Sequence, residues 1–354
     1  MIHRLIILAI VVATVTAIAL LPLFKKQTDS LFRVLLFNGV VLVADSFSSV
    51  SDYILNGIVS LFRFAPFETP TTDYVQLAAG FGLIAIAFVH RHSLFDKLNV
   101  LNMQGKVRHY LANDTHLNNL NVPDYQIREY VIDSIWAQDN LGSLNKSQWR
   151  SLLSQIEQTV KVFCNRDFKK SFTGMAPIPL TIYAGTCYEG EAVNSYLEYN
   201  NSTHEYSALS NSKRFPDLTC ENYDYDGQDE IVVAIETTSK ITEAETIQFK
   251  MPVVHMSVPD PHDNMITSGK QLKKYVDTIS EKIESLSKGG VKRIHLLCAT
   301  QSCLAFALGQ KLAHKTNRVP EIISYHFVKA STPCYQFGLI VIGDKKGNVE
   351  YCNA

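Results

Sequence analysis

No Gly-x-Gly-x-x-Gly and no Walker pattern occurs in these 354 residues, so neither an ordinary dinucleotide site nor an ATP site is indicated. Paired metal-ligand spacing is missing as well. The seven cysteines are scattered, with no Cys-x-x-Cys, which argues against a structural zinc and fits reduced thiols in a cytosolic domain. An excess of charge of either sign is also lacking. Thirty-three Lys and Arg stand against 34 Asp and Glu, for a net charge of −1, so no global basic field points to DNA or bulk RNA. Charged residues make up only 19%, low for a fully soluble chain, while 46% are hydrophobic, and that apolar excess sits at the N-terminus. The length fits two soluble domains, or one domain with a membrane part.

Leu5–Phe24 is an apolar run whose polar side chains are two threonines. At ~1.5 Å per residue it is long enough for the ~30 Å hydrocarbon core. A signal peptide is the rival reading, with His3-Arg4 as its basic start and Ala17-Ile18-Ala19 as its cleavage site. The apolar run continues past Ala19, which favours a span. Tyr74–Val89 is expected as a second span. Between the two, over Arg33–Phe64, Asn38, Asp45, Ser49, Asp52, Asn56 and Ser60 fall on one narrow helical face, opposite Leu36, Val40, Val43, Phe47, Val50, Ile54, Ile58 and Leu61. Two readings stay open: a helix lying in the membrane interface, or a stripe of Asn38, Asp45, Asp52 and Asn56 that lines a pore or assembly contact. Basic residues after the second span, Arg91, Lys97, Lys106 and Arg108, place the rest of the chain in the cytoplasm.

The remainder reads as α/β. Residues 93–170 are expected to be a helical linker, with amphipathic helices over Tyr125–Gln138 and Gln148–Phe163. Beyond it, Ile231–Ile235 is a buried strand ending in the polar turn Thr238-Ser239-Lys240. Met251–Val258 is another strand, and Lys270–Leu286 is a helix capped by Thr267 or Ser268. Arg293–Cys298 is a strand, Ala299-Thr300-Gln301-Ser302 a polar turn, Cys303–Lys315 a helix rich in small residues and Ile322–Val328 a strand, together a right-handed parallel crossover. Tyr335–Ile342 closes the sheet. The turn at Ala299–Ser302 opens a helix at the carboxyl end of a strand, a place where backbone N–H groups suit phosphate.

Catalytic alternatives are weak on their own residues. A Ser302 nucleophile would need glycines around it, and Gln301 and Cys303 flank it instead. Cys298, with His255 or His295 as base, ends a buried strand. His262 with Asp260 and Asp263 resembles a metal cluster only within a Pro-rich loop. What the two turns offer is hydroxyls, amides and one cation, a set that binds phosphates and base edges without catalysing anything.

Four blocks carry a family resemblance: Pro177–Gly185, Ile231–Ser239, Ile294–Ala299 with Leu304–Gly309, and Ile323–Phe327 with its Tyr325. In order and spacing they resemble SAVED domains, from roughly Phe172 to the C-terminus. The resemblance implies two fused Rossmann-like (CARF-like) units that sense cyclic oligonucleotides in bacterial anti-phage signalling (CBASS), some of them assembling on the ligand. It also implies two membrane spans, whereas Lys25, Lys26 and Arg33 suit three. The expected organisation is an N-terminal α-helical membrane module at 1–92, the linker at 93–170 and an α/β sensor at 171–354. The expected ligand is a cyclic tri- or tetranucleotide, held by Thr238, Ser239, Lys240, Ala299, Thr300, Gln301, Ser302 and Tyr325, with no metal or cofactor. The expected function is a multi-pass effector of the bacterial inner membrane that oligomerises on ligand and permeabilises the bilayer, causing abortive infection. The alternative is a membrane-anchored α/β nucleotide hydrolase.

Overall fold

The structure is a computed structural model that describes residues 28–46, 74–94, 97–105, 111, 126–138, 141–166, 169–190, 193–200, 205–220, 227–329 and 331–352. The chain divides into two compact units, one of residues 1–96 with 123–126 and one of 97–122 with 127–354.

In the first unit, helices α1 (Thr28–Ser46) and α2 (Tyr74–Leu94) pack together. The buried face of α1 is Phe32, Leu35, Gly39 and Leu42, spaced three and four residues apart. Gly39 meets Gly80 of α2: a Cβ on either glycine would lie 3.0 Å from the other's carbonyl oxygen. Backbone meets backbone there, and Asn38 beside the contact is half-buried. Of the expected apolar face, Leu36 packs beside Phe32 and Leu35 and Val43 lies against Gly80, whereas Val40 is exposed, as are Val34 and Phe37. Of the polar stripe, Asp45 lies near the end of α1, while Asp52 and Asn56 lie outside the described residues, as does Leu5–Phe24. Among the described residues no helix is long and apolar enough to cross a membrane. The physical reason at α2 is that its uninterrupted apolar part runs only between Gln76 and His90. Thirteen residues reach about 20 Å, short of a ~30 Å core.

The second unit holds two sheets. The first has the order β2-β1-β3-β4-β5, built from β1 (Lys97–Gln104), β2 (Gln126–Asp133), β3 (Lys169–Gly174), β4 (Ser195–Asn200) and β5 (Glu205–Ala208). β1, β3 and β4 run parallel. The helical linker expected over 93–170 thus contributes two strands. Over Glu129–Asp133 the burial alternates, with Tyr130 and Ile132 buried between the half-buried Glu129, Val131 and Asp133, a period of two rather than 3.6. The short helix α3 (Ile135–Gln138) follows. The helix expected at Gln148–Phe163 is present as α4 (Lys146–Cys164). Asn145 starts it by accepting the N–H groups of Ser147 and Gln148 at 3.0 Å, while Gln148 accepts the Asn145 N–H at 2.9 Å.

The second sheet has the order β12-β11-β10-β9-β7-β8-β6, from β6 (Thr219–Cys220), β7 (Glu230–Glu236), β8 (Val253–Ser257), β9 (Arg293–Ala299), β10 (Glu321–Phe327), β11 (Tyr335–Ile342) and β12 (Val349–Tyr351). β8, β7, β9 and β10 are mutually parallel. Their connections carry α6 (Glu243–Thr246), α7 (Gly269–Lys288), capped by Ser268, and α8 (Ser302–Ala313).

One core joins the two sheets. α5 (Ile178–Thr186) leaves β3 as α8 leaves β9, and the two helices pack on each other with Gly185 against Gly309. Phe172 stacks on Phe306 across this seam at 4.1 Å between ring centroids. Here the small residues expected of α8 act as a contact surface. The arrangement agrees with two α/β halves fused in one chain. At the far side of the unit the last strand is clasped to α4: Trp149 Nε1 donates to the Tyr351 hydroxyl at 3.2 Å, and that hydroxyl donates to the Leu144 carbonyl at 2.9 Å.

Candidate functional site

The chain leaves β7 toward β8 on one side and leaves β9 toward β10 on the other. Strand order therefore reverses between β7 and β9, and the space outside their carboxyl ends, the crevice position of such sheets, is where ligands usually bind. The two polar turns read from the sequence both end there, because Glu236 is in register with Ala299.

The turns are stitched together. The N–H groups of Thr237 and Thr238 both donate to the Ala299 carbonyl, at 2.9 and 3.0 Å, and the hydroxyls of Thr237 and Thr300 share a hydrogen bond at 2.8 Å. Behind the first turn stands Glu236, 2% exposed. Its Oε1 accepts the Ile241 N–H at 3.0 Å and meets His255 Nδ1 at 2.8 Å. Its Oε2 lies 3.3 Å from Lys240 Nζ. The buried carboxylate thus closes the turn and leaves Ser239 and Lys240 at the rim, with the Lys240 side chain 54% exposed. The loop after β8 forms another wall, since the His262 N–H donates to the Thr237 carbonyl at 3.2 Å.

The second turn is spent differently from its expected reading. Gln301 starts α8, but its side chain is turned inward: Oε1 accepts the Ile266 N–H at 2.5 Å and Nε2 donates to the Ile266 carbonyl at 3.2 Å. The helix end is not an open row of N–H groups. Leu304 and Ala305 donate to the Gln301 carbonyl, and the Cys303 N–H donates at 2.8 Å to Glu198, a residue of β4 in the other sheet. Burial pushes the Glu198 carboxyl up to about 7, against the hydrogen bonds from Cys303 and Gln301 that lower it. Thr300 and Ser302 remain half-buried at the crevice.

Gln301→Ala is therefore expected to act on folding. It leaves the buried Ile266 N–H and carbonyl unpaired, at about 1–3 kcal/mol for each group. A chemical-denaturation midpoint equal to that of wild type would refute this.

Of the expected residues, Thr238, Ser239, Lys240, Ala299, Thr300, Gln301 and Ser302 gather around the crevice. Tyr325 does not. It is buried in a second apolar cluster with Val232, Leu297 and Tyr335, and its hydroxyl meets His295 Nδ1 at 2.8 Å. His295 Nε2 reaches Glu230 at 3.0 Å, at the opposite end of β7 from the crevice. Glu198, Glu236 and Thr237 are the crevice residues not singled out beforehand. Thr237 adjoined a turn already picked out, whereas Glu198 carries no local signal, because it meets α8 from 105 residues away.

Nucleophilic chemistry finds little here. Burial alone raises the Cys298 thiol, disfavouring the thiolate a nucleophile needs. Among the described residues, no group of three His, Cys, Asp or Glu could hold a metal ion. His262, mostly exposed, turns its Nδ1 to the Asp260 carbonyl at 2.8 Å.

Comparison with known proteins gives a family match over residues 152–341, more than half of the chain: the SMODS-associated and fused to various effectors sensor domain, SAVED. Similar solved structures include the Cap4 SAVED/CARF-domain containing receptor of Acinetobacter baumannii with the cyclic trinucleotide 2'3'3'-cAAA, at 16% identity and a TM-score of 0.44, over 71% of this chain and 53% of that one. The same receptor with 3'3'3'-cAAA aligns at 17% identity and a TM-score of 0.44, over 71% and 54%. The chain thus spans about half the length of those receptors. Among curated proteins no match is found.

Proposed function

This chain belongs to the SAVED family of sensor domains, and on that footing we propose that the β7–β9 crevice binds a cyclic tri- or tetranucleotide messenger of anti-phage defence. Binding gathers copies of the chain, and their N-terminal segments then permeabilise the bacterial inner membrane. The observation that carries the ligand assignment is the stitched pair of turns. It brings the turn that carries Thr238, Ser239 and Lys240 beside the turn that carries Thr300 and Ser302 at the switch point, residue types suited to phosphodiesters and base edges. With Cys298 held as a buried neutral thiol beside them, the site is read as one that holds its ligand intact.

The membrane role is supported by the first unit. Val34, Phe37, Val40, Val75, Phe81, Ile86, Phe88 and Val89 are exposed on α1 and α2, a density of apolar surface that marks a lipid or partner contact. The Gly39–Gly80 crossing is the close helix approach that lipid-embedded pairs use. Leu5–Phe24 adds a further apolar run to this end of the chain. Ligand drives assembly only through higher affinity for the assembled state, so saturating ligand and self-association must rise together.

The test uses the full chain in lipid bilayers with a panel of synthetic cyclic tri- and tetranucleotides. One ring is expected to be retained intact, to increase particle size and to switch on current across a planar bilayer. Release of linear nucleotides would replace this reading with the hydrolase. Binding without current would remove the membrane role alone.

A further inference from the structure

Glu198 stands on β4 in the first sheet, yet its carboxylate ends at the crevice of the second. It is 7% exposed. Oε1 takes the Cys303 N–H at 2.8 Å, and Oε2 lies 3.5 Å from Nε2 of Gln301, the residue that also pins the crevice wall at Ile266. A carboxylate there places negative charge behind the Thr300–Ser302 turn and offsets the positive end of α8. The ionisable groups that face it are the Cys303 thiol on α8 and the Tyr196 hydroxyl on its own strand, with Tyr188 beyond. None is a cation. Burial raises Cys303 and Tyr196 as well, so both stay neutral. The carboxyl of Glu198, held at about 7, is the member of this set that changes charge near neutral pH.

We propose that Glu198 is a charge-operated gate on the crevice. Ionised, it holds the α8 end as an internal anion and weakens the site for phosphates; neutral, it leaves that field to the ligand and keeps Gln301 in place. Glu198 is thus a positioning residue that joins the first sheet to the ligand site, and its effect on affinity rests on the ligand reading above.

Phosphodiesters do not titrate near neutral pH, so the pH dependence of binding reports the protein. The full chain in lipid discs is titrated with the ring that binds in the panel, at pH 6 and pH 8. Wild type is expected to bind about tenfold more tightly at pH 6, a difference of ~1.4 kcal/mol. Glu198→Gln keeps a side-chain oxygen for the Cys303 N–H and removes the charge. It is expected to bind equally at both pH values, at the wild-type pH 6 level. His255 and His262 on the other walls are also titratable, and this variant separates Glu198 from them. A flat wild-type profile, or a Gln variant that keeps the pH dependence, overturns the gate.

A ligand-free measurement separates failure of the gate from failure of the ligand reading. A carboxyl raised in the folded state keeps a proton that the unfolded chain releases above its ordinary value of 4.5. Its contribution to stability is therefore full below about 4.5 and is lost as pH rises through about 7. The thermal midpoint of Glu198→Gln is expected to gain on wild type by about 5 °C or more between pH 5 and pH 8. A constant difference overturns the gate whether or not any ring binds. A widening difference, with no ring bound at either pH, sinks the ligand reading and upholds the titrating carboxylate.

Discussion

Gly309→Ala is expected to cost the sensor unit its stability. A Cβ at Gly309 would lie 2.2 Å from the Ile182 carbonyl oxygen, and one at Gly185 would lie 2.2 Å from the Phe306 carbonyl oxygen. These neighbours are helix backbone, which cannot swing aside as a flexible side chain would. Relief requires α5 and α8 to separate by about an ångström, in an interior packed as densely as a molecular crystal. The separation would open the seam that carries the Phe172–Phe306 stack and ties the two sheets. Overpacking of this kind costs about 3 kcal/mol or more. A sharply lowered denaturation midpoint is the expected readout, with ligand binding lost at physiological temperature. Gly82→Ala is the control, since nothing lies within 4 Å of a Cβ there. Equal midpoints for Gly309→Ala and wild type would mean that the helices do not cross at this distance.

Lys240→Glu has the largest expected effect on ligand. The Lys240 ammonium is set at the rim by Glu236, 3.3 Å away, and more than half of its side chain reaches solvent. A glutamate there removes a charge-assisted bond to phosphate worth about 1.5–3 kcal/mol and adds repulsion from both the ligand and Glu236. Roughly a hundredfold or greater loss of affinity is expected, with ligand-driven assembly abolished in sedimentation. Because the side chain is mostly exposed, Lys240→Gln serves to isolate the repulsive part and is expected to lose less. Normal assembly of the glutamate variant would show that this rim does not face the ligand.

The stretch around α8 was legible because several signals coincide there. Gly289-Gly290, an apolar run, a polar turn, a helix of small residues and Pro320 follow one another, and the observed bounds of β9, α8 and β10 differ from the expected ones by a residue or two. Tyr335–Ile342 matches as it was read. β2 was misread because Tyr125–Gln138 offers apolar residues at both helical and strand spacing, and only the neighbour β1 decides between them. The crevice was legible as two strand ends, since strand ends are local. What fills the end of α8 was not. Helix N-termini look open in any sequence, and Glu198 comes from a strand 105 residues away whose own neighbours, Leu197 and Tyr199, give no hint of a buried charge. Tyr325 was drawn in by its place in a matching block, but alternation along β10 turns it into the cluster on the other face of the sheet.

The clasp between Tyr351 and the start of α4 has a consequence in time. Its hydroxyl answers the Leu144 carbonyl across 207 residues of chain. At elongation rates of about 5–20 residues per second, that interval lasts roughly 10–40 s. When it begins, α1 and α2 have already been made; α4 follows within its first part, while β12, the strand that secures Trp149, comes only at its end. The apolar N-terminus therefore meets its surroundings before the sensor is complete. A chain stopped short of Tyr351 would lack the contacts that hold Trp149 and Leu144, and is expected to stay open at that edge of the second unit and to be cleaved there by proteases.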